Sequence, residues 1–219
     1  MDTLREYFER NPGRLIQKWL NYFEIYERHF ARFRNREVHV MEIGVFHGGS
    51  LQMWKHYFGP LATVYGVDVN PDCKRLEEDR VRILIGDQAD RAFLRSLRDV
   101  VPRIDVLIDD GGHRMEQQIA TFEELFAQVA DDGVYLCEDL HTSYWHEFGG
   151  GLRRDGTFIE YSKRLVDQLN AWFTRDPDRF EVDDFTLTAR SLHYYTSVLV
   201  IEKRRMELPR EGASGVPAL

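Results

Sequence analysis

A chain of 219 residues with 43% hydrophobic and 30% charged residues suits one globular domain with a sizeable core. Its net charge of −8, without a Lys/Arg run, argues against binding to a phosphate backbone. No apolar run is long enough to span a bilayer and the N-terminus lacks the apolar stretch of a signal peptide, so a cytoplasmic setting without membrane or nucleic-acid partners is the expectation. Cys73 and Cys137 have no partners at metal-site spacing, and Cys137 lies in an apolar run where it reads as a small hydrophobe.

From about Asp2 to Phe33 the pattern is helical. Trp19, Tyr22, Phe23, Tyr26, Phe30 and Phe33 recur at spacings of three and four, with Lys18, Glu24, Glu27 and Arg28 between them, and "NPG" at Asn11–Gly13 breaks the run into two helices. Such a stripe serves a core or a subunit contact, or else a lid over a substrate. After Glu37, strands and helices alternate. Strands are predicted at Val38–Gly44, Ala62–Val69, Val81–Asp87, Ile104–Asp110 and Gly133–Asp139, and helices at Ser50–Phe58, Arg91–Val100 and Met115–Ala130. This alternation predicts an α/β fold with a parallel sheet covered on both faces. A helix over Phe158–Phe173 follows. "FEVDDFTLT" and "YTSVLVIEK" then read as two strands with no helix between them, an antiparallel pair at the sheet edge. Tyr144–Thr157, with its "GGG", reads as a mobile loop, and the last dozen residues as a disordered tail. The expected division is 1–36 for the N-terminal helices, 37–205 for the α/β domain and 206–219 for the tail.

Open parallel sheets place ligands at the carboxyl ends of their strands, and here every strand end carries acid. Strand one ends in "MEIGVFHGGS", strand two at Asp68, strand three in "GDQAD", strand four at Asp109 and Asp110, and strand five at Glu138 and Asp139. A dinucleotide fingerprint would place a second glycine two residues after Gly44, where Phe46 stands instead. That is awkward for a pyrophosphate and tolerable for a ligand without one. Asp68 could accept the hydroxyls of a ribose, and Asp87 and Gln88 the amino group of an adenine. Each acid could equally cap a helix or serve a turn.

In order and spacing, "VMEIGVFHGGS", "YGVDV", "GDQAD", "VLIDDGGH" and "GVYLCEDLHTSYW" resemble the class I S-adenosylmethionine-dependent methyltransferases. More narrowly they resemble the metal-dependent sugar O-methyltransferases of antibiotic biosynthesis, the mycinamicin and macrocin type. The resemblance covers roughly Glu37 to Trp145. It implies a Rossmann-like seven-stranded sheet, S-adenosylmethionine as methyl donor, and a divalent cation such as Mg²⁺ at the ends of strands four and five. The implied donor set is Glu42, Gly44, Phe46, Ser50, Asp68, Asp87, Gln88 and Asp109, with Asp109 supporting the donor or the turn. Glu42 serves either the donor's amino group or the metal. The implied metal ligands are Asp110, Glu138 and Asp139, oxygen donors suited to a hard cation. An aliphatic hydroxyl ionises far above neutral pH, so a cation to acidify it and a base to take its proton are both useful. His113 is the expected base and His141 the competing one, or else a substrate contact. Tyr144 and Trp145 offer a flat surface to a sugar, or pack the loop. The acceptor expected is a sugar-containing small molecule, and a homo-oligomer is compatible with the aromatic N-terminal helices. The alternatives are a catechol-type or other small-molecule acceptor, and an NAD(P)-dependent oxidoreductase, which Phe46 disfavours.

Overall fold

A computed structural model of the chain describes residues 2–216; the tail expectation at residues 217–219 lies outside them. Two short helices come first, α1 (Leu4–Arg10) and α2 (Tyr22–Phe30). Then follow β1 (Val38–Ile43), α3 (Gly49–Phe58), β2 (Ala62–Asp68), β3 (Val81–Ile85), α4 (Arg91–Ser96), β4 (Ile104–Asp109), α5 (Met115–Leu125) and β5 (Val129–Cys137). The chain closes with α6 (Phe158–Leu169), α7 (Asp184–Thr188), β6 (Ala189–Tyr195) and β7 (Val198–Lys203).

The seven strands form one sheet in the order β3-β2-β1-β4-β5-β7-β6. The first five are parallel, and β7 runs antiparallel between β5 and β6. Both faces are apolar, as a covered parallel sheet requires. Val38, Val40, Val106 and Ile108 pack with Tyr26, Phe30, Trp54 and Phe58 on one side. Met41, Ile43 and Leu107 pack with Leu94, Phe122, Leu125 and Phe158 on the other. The aromatic stripe is therefore mostly core of this same chain. Tyr22, Phe23, Tyr26, Phe30 and Phe33 are buried, while Trp19 is 57% exposed.

Four local expectations change. The break at Asn11 is more than a kink between two helices: residues 11–20 form an irregular strap. Pro12 removes a donor, while Asn11 accepts from the Gly13 N–H and donates to the Arg14 carbonyl, replacing helical bonds with side-chain ones. The predicted strand "FEVDDFTLT" ends instead in α7, because the Asp183 carboxylate caps it by accepting from the Thr186 N–H at 2.9 Å. The edge strand β6 starts only at Ala189. The helix from Met115 stops at Leu125, and β5 begins at Val129, ahead of the expected Gly133. The glycine-rich loop after Tyr144 is tied down: the Gly150 N–H donates to the Trp145 carbonyl and the Gly151 N–H to the Ser143 carbonyl, both at 2.8 Å.

Candidate active site

The sheet order reverses between β1 and β4, and there the strand ends open into a cleft of about 740 Å³. Backbone bonds hold the rim in line. The Gly44 N–H donates to the Val67 carbonyl, the Asp110 N–H to Ile43 and the Glu138 N–H to Asp109. Gly44, at φ +97°, is a glycine because β4 passes so close: a Cβ there would lie 2.0 Å from the Asp110 carbonyl oxygen.

The first turn forms one wall. One Asp68 carboxylate oxygen accepts from the Val45 and Phe46 N–H groups at 2.9 and 3.2 Å, and the other accepts from the Asn70 N–H. Phe46 stands 60% exposed at the cleft with φ +51°. Ser50 also lines the cleft, and its hydroxyl donates to Glu42. Asp87 is exposed on the opposite wall and accepts from the Ala89 N–H. Gln88 is buried with its amide engaged inside the protein. It donates to Asp109 at 2.7 Å and to Thr121 at 2.9 Å, and it accepts from the Gly112 N–H at 2.9 Å. It thereby fixes the "DDGGH" turn through its side-chain amide. Asp109 is fully buried, and burial pushes its carboxyl up to about 7; one of its oxygens has no partner among the described residues.

The acids at β4 and β5 divide into two groups. Asp110, His113 and Asp139 form the outer one, each offering a ligand atom within 4.8 Å of the others. His113 Nε2 lies 3.4 Å from Asp139 and 3.9 Å from Asp110, while the buried Nδ1 has no partner among the described residues. Tyr22 donates to Asp139 at 2.7 Å. Glu138 belongs to the inner group with Glu42. Both are fully buried and converge with the other oxygen of Asp110 on the ammonium of Lys18, at 3.0, 3.1 and 2.6 Å. Tyr26 donates to Glu138 at 2.7 Å. Burial, then the neighbouring Asp110 charge, holds the Glu138 carboxyl well above its usual range. Burial also raises that of Glu42, against the pull of Lys18. Burial opposes the charge on Lys18, but the surrounding acidic groups, led by Asp110 and Glu138, together outweigh it and keep the ammonium protonated.

Lys18 is the residue that sequence reasoning missed. Its spacing is that of a polar position on a helical face, whereas the strap turns its side chain inward to 2% exposure. The one local signal is "NPG" a few residues before it.

The remaining candidates border the cleft mouth. His141 Nδ1 is 2.6 Å from the Ser197 hydroxyl, and its ring meets Trp145 and Trp19 at centroid distances of 4.6 and 5.8 Å. Trp145 is 45% exposed and lines the cleft; Tyr144, also half exposed, lies outside the cleft lining. The outer group fits a hard divalent cation. It offers two carboxylates and an imidazole, partly open to solvent, with the imidazole Nε2 facing both carboxylates. A second cluster, His29, His193 and Glu202, lies under the edge hairpin, where Arg32 and Arg190 already answer the Glu202 charge.

Comparison with known proteins places the fold in a family. A family model described as a methyltransferase domain matches residues 41–140. The 8-demethyl-8-alpha-L-rhamnosyl tetracenomycin-C 2'-O-methyltransferase of Streptomyces olivaceus is 42% identical over 193 residues, 84% of this chain and 50% of that protein. The mycinamicin VI 2''-O-methyltransferase of Micromonospora griseorubida is 36% identical, over 88% of this chain and 52% of that one. A solved structure of the MycE methyltransferase of the mycinamycin pathway, in complex with Mg, SAH and mycinamycin VI, superposes with a TM-score of 0.81. It has 33% identity and covers 93% of this chain and 54% of that one. The chain spans about half the length of the curated relatives it matches. By fold and by sequence, the chain belongs with the class I S-adenosylmethionine-dependent methyltransferases, and over its span it resembles the sugar O-methyltransferases of antibiotic pathways.

Proposed function

We propose that the protein transfers a methyl group from S-adenosylmethionine to a hydroxyl of a sugar-containing natural product, with a divalent cation held by the carboxylates Asp110, Glu138 and Asp139 and with His113 beside it as the base. The observation that carries this reading is the outer group itself, two carboxylates and an imidazole within 4.8 Å at the switch point of a donor-sized cleft. When bound, the cation would polarise and orient the acceptor hydroxyl, and the sulfonium donor would supply an activated methyl group.

The chain's own residues do the rest. Asp68, anchored by three backbone N–H groups, faces the cleft as a ribose partner for the donor. Asp87 stands where an adenine amino group would reach it, and Phe46 covers the turn. His113 takes the proton of the acceptor hydroxyl as its oxygen bonds the methyl carbon and the sulfur–carbon bond breaks. An imidazole titrates near neutrality, and Asp139 stabilises the charge it gains. Glu42 serves the floor of the site through Ser50 and Lys18. Glu138 would complete the carboxylate set from the buried side, and Asp109 with Gln88 holds the turn that carries His113. Trp145 and His141 present the platform for a sugar ring, with Tyr144 beside them. Residues 1–36 provide the cover of the cleft through the strap. With its net charge of −8, the protein takes a small acceptor and not a nucleic acid. Its free buried cysteines suit a reducing, cytoplasmic compartment.

The test is transfer from methyl-labelled S-adenosylmethionine to a panel of rhamnosylated and other deoxysugar glycosides, in Mg²⁺ and in EDTA. Labelled glycoside in Mg²⁺ alone is the expected result. Unchanged turnover in EDTA would remove the cation from the reading, and label appearing only on catechols would remove the sugar.

A further inference from the structure

Two tyrosines of α2 aim their hydroxyls at the consecutive acids just beyond β5. Tyr22 donates to Asp139 Oδ1 and Tyr26 to Glu138 Oε1, both at 2.7 Å. The two residues stand four apart, about one helical turn, so their side chains share a face of α2. Within the aromatic stripe the hydroxyl is present at these two positions and absent from Phe23, Phe30 and Phe33, which pack in the same core. Both tyrosines are buried, and their rings are locked by their neighbours. Tyr26 meets Trp54 edge-on at a centroid distance of 5.1 Å and stacks with Phe30 at 5.8 Å, and Tyr22 meets Tyr26 edge-on at 6.3 Å. Each bond takes up one carboxylate oxygen and leaves the direction of the other fixed. Asp139 keeps Oδ2 toward the cleft, 3.4 Å from His113 Nε2. Glu138 is pinned through Oε1, while Lys18 reaches both of its oxygens.

We propose that Tyr22 and Tyr26 are positioning residues that aim the carboxylates of Asp139 and Glu138 at a divalent cation, with α2 as the outer support of the metal site. The proposal rests on the divalent-cation reading above and deepens it, because it gives a helix of the core a part in cation binding. A phenol suits the task. It donates to a carboxylate without adding charge, so it fixes a direction and leaves the negative charge for the cation. A ring already held by packing brings that direction ready-made to the binding step. Partners of this kind behind a metal ligand are worth about 10- to 100-fold in affinity. A buried tyrosine hydroxyl also bonds for stability alone, and Tyr57 provides the contrast. It is buried and donates at 2.8 Å to Glu27 of α2, whose other oxygen accepts from the Leu4 N–H at the start of α1.

The test titrates wild-type protein, Tyr22→Phe, Tyr26→Phe and Tyr57→Phe with Mn²⁺ by calorimetry and melts each in chelator. Phenylalanine keeps the ring and removes the bond. Tyr22→Phe and Tyr26→Phe are each expected to bind Mn²⁺ about tenfold more weakly than wild type, with the Kd for S-adenosylhomocysteine unchanged. Tyr57→Phe loses a comparable bond to a carboxylate, and it is expected to lose Tm in chelator while binding Mn²⁺ as wild type does. Wild-type Mn²⁺ affinity in both Tyr22→Phe and Tyr26→Phe overturns the proposal and leaves the two hydroxyls as structural bonds. Equal weakening in Tyr57→Phe also overturns it, by tracing the loss to general stability. If Tyr26→Phe does not fold, Tyr22→Phe decides alone, since Asp139 is partly open to solvent. Weaker Mn²⁺ binding by it then supports the proposal, and equal binding overturns it. Wild-type protein that binds no Mn²⁺ would sink the cation reading and this proposal together, whereas a wild type that binds beside unchanged variants sinks this proposal alone.

Discussion

His113 and Asp139 face each other at 3.4 Å, and both are held in left-handed backbone, at φ +55° and +56°. An ordinary side chain pays about 1–2 kcal/mol for that conformation. Two such residues side by side, one after each of two adjacent strands, indicate that the strand–loop junctions are shaped for the side chains they present. Thr142 braces the pair by donating to the His113 carbonyl at 3.0 Å and to the Asp139 carbonyl at 2.8 Å.

Replacing His113 with glycine separates the two contributions. Glycine takes the left-handed region freely, so His113→Gly is expected to be at least as stable as wild type in urea unfolding. Loss of a general base lowers turnover by about 10²- to 10⁴-fold. A variant with unchanged kcat would remove His113 from the proton transfer. One with unchanged donor affinity and reduced kcat would place its role in the chemical step.

Gly44 has no room for any other residue. Since a Cβ would sit 2.0 Å from the Asp110 carbonyl oxygen in a backbone with positive φ, Gly44→Ala is expected to cost on the order of 3 kcal/mol or more. A denaturant melt with the wild-type midpoint would show that β1 and β4 can separate without penalty.

Asp68 combines a turn and a proposed ribose contact. Asp68→Asn keeps acceptor oxygen for only some of its network, whose partners are the N–H groups of Val45, Phe46 and Asn70. The expected outcome is weaker binding of S-adenosylhomocysteine by roughly tenfold or more, the worth of a hydrogen bond to a charged group. Calorimetry reads this directly, and an unchanged Kd would move the ribose elsewhere.

His29 makes stability depend on pH. Burial, helped by Arg28 and His193, lowers its pKa against the pull of Glu202. The folded state then binds fewer protons than the unfolded one as the pH falls below about 6.5, the ordinary histidine value. This contribution is fully present above that pH and is lost as the pH falls toward the folded pKa. Urea midpoints between about pH 7.5 and about pH 5.5 are expected to drop less for His29→Gln than for wild type. Parallel slopes would place the pH dependence in other groups.

Most of the scaffold was legible because periodicity and strand-end chemistry report on the same thing. The alternation of apolar runs from Val38 to Cys137 marked the five parallel strands, and the acids just beyond them marked the cleft. What was not legible depended on contacts distant in sequence. Residues 14–20 have helix-compatible composition, and Pro12, the side-chain bonds of Asn11 and the close approach of Leu15 to Gly49 make them a strap. Glu138 and Asp139 are neighbours in sequence with the same chemistry. Nothing local shows that one turns inward to Lys18 and Tyr26 while the other turns outward to His113 and Tyr22. The boundary at Thr188 was misplaced because Phe, Val and Thr favour strands, while the cap from Asp183 decides for a helix.

The insertion of β7 between β5 and β6 has a bearing on how the protein is made. β5 carries Glu138 and Asp139 at its end, and among the described residues its outer edge pairs with Val198–Lys203, far along the chain from β5 itself. The Leu140 N–H and the Tyr22 hydroxyl both reach the Ser197 carbonyl just before that strand. A nascent chain on the ribosome thus exposes an unpaired, apolar edge beside the cleft until Val198–Lys203 has emerged. A product stopped short of Val198 would hold the cleft with the outer edge of β5 unpaired.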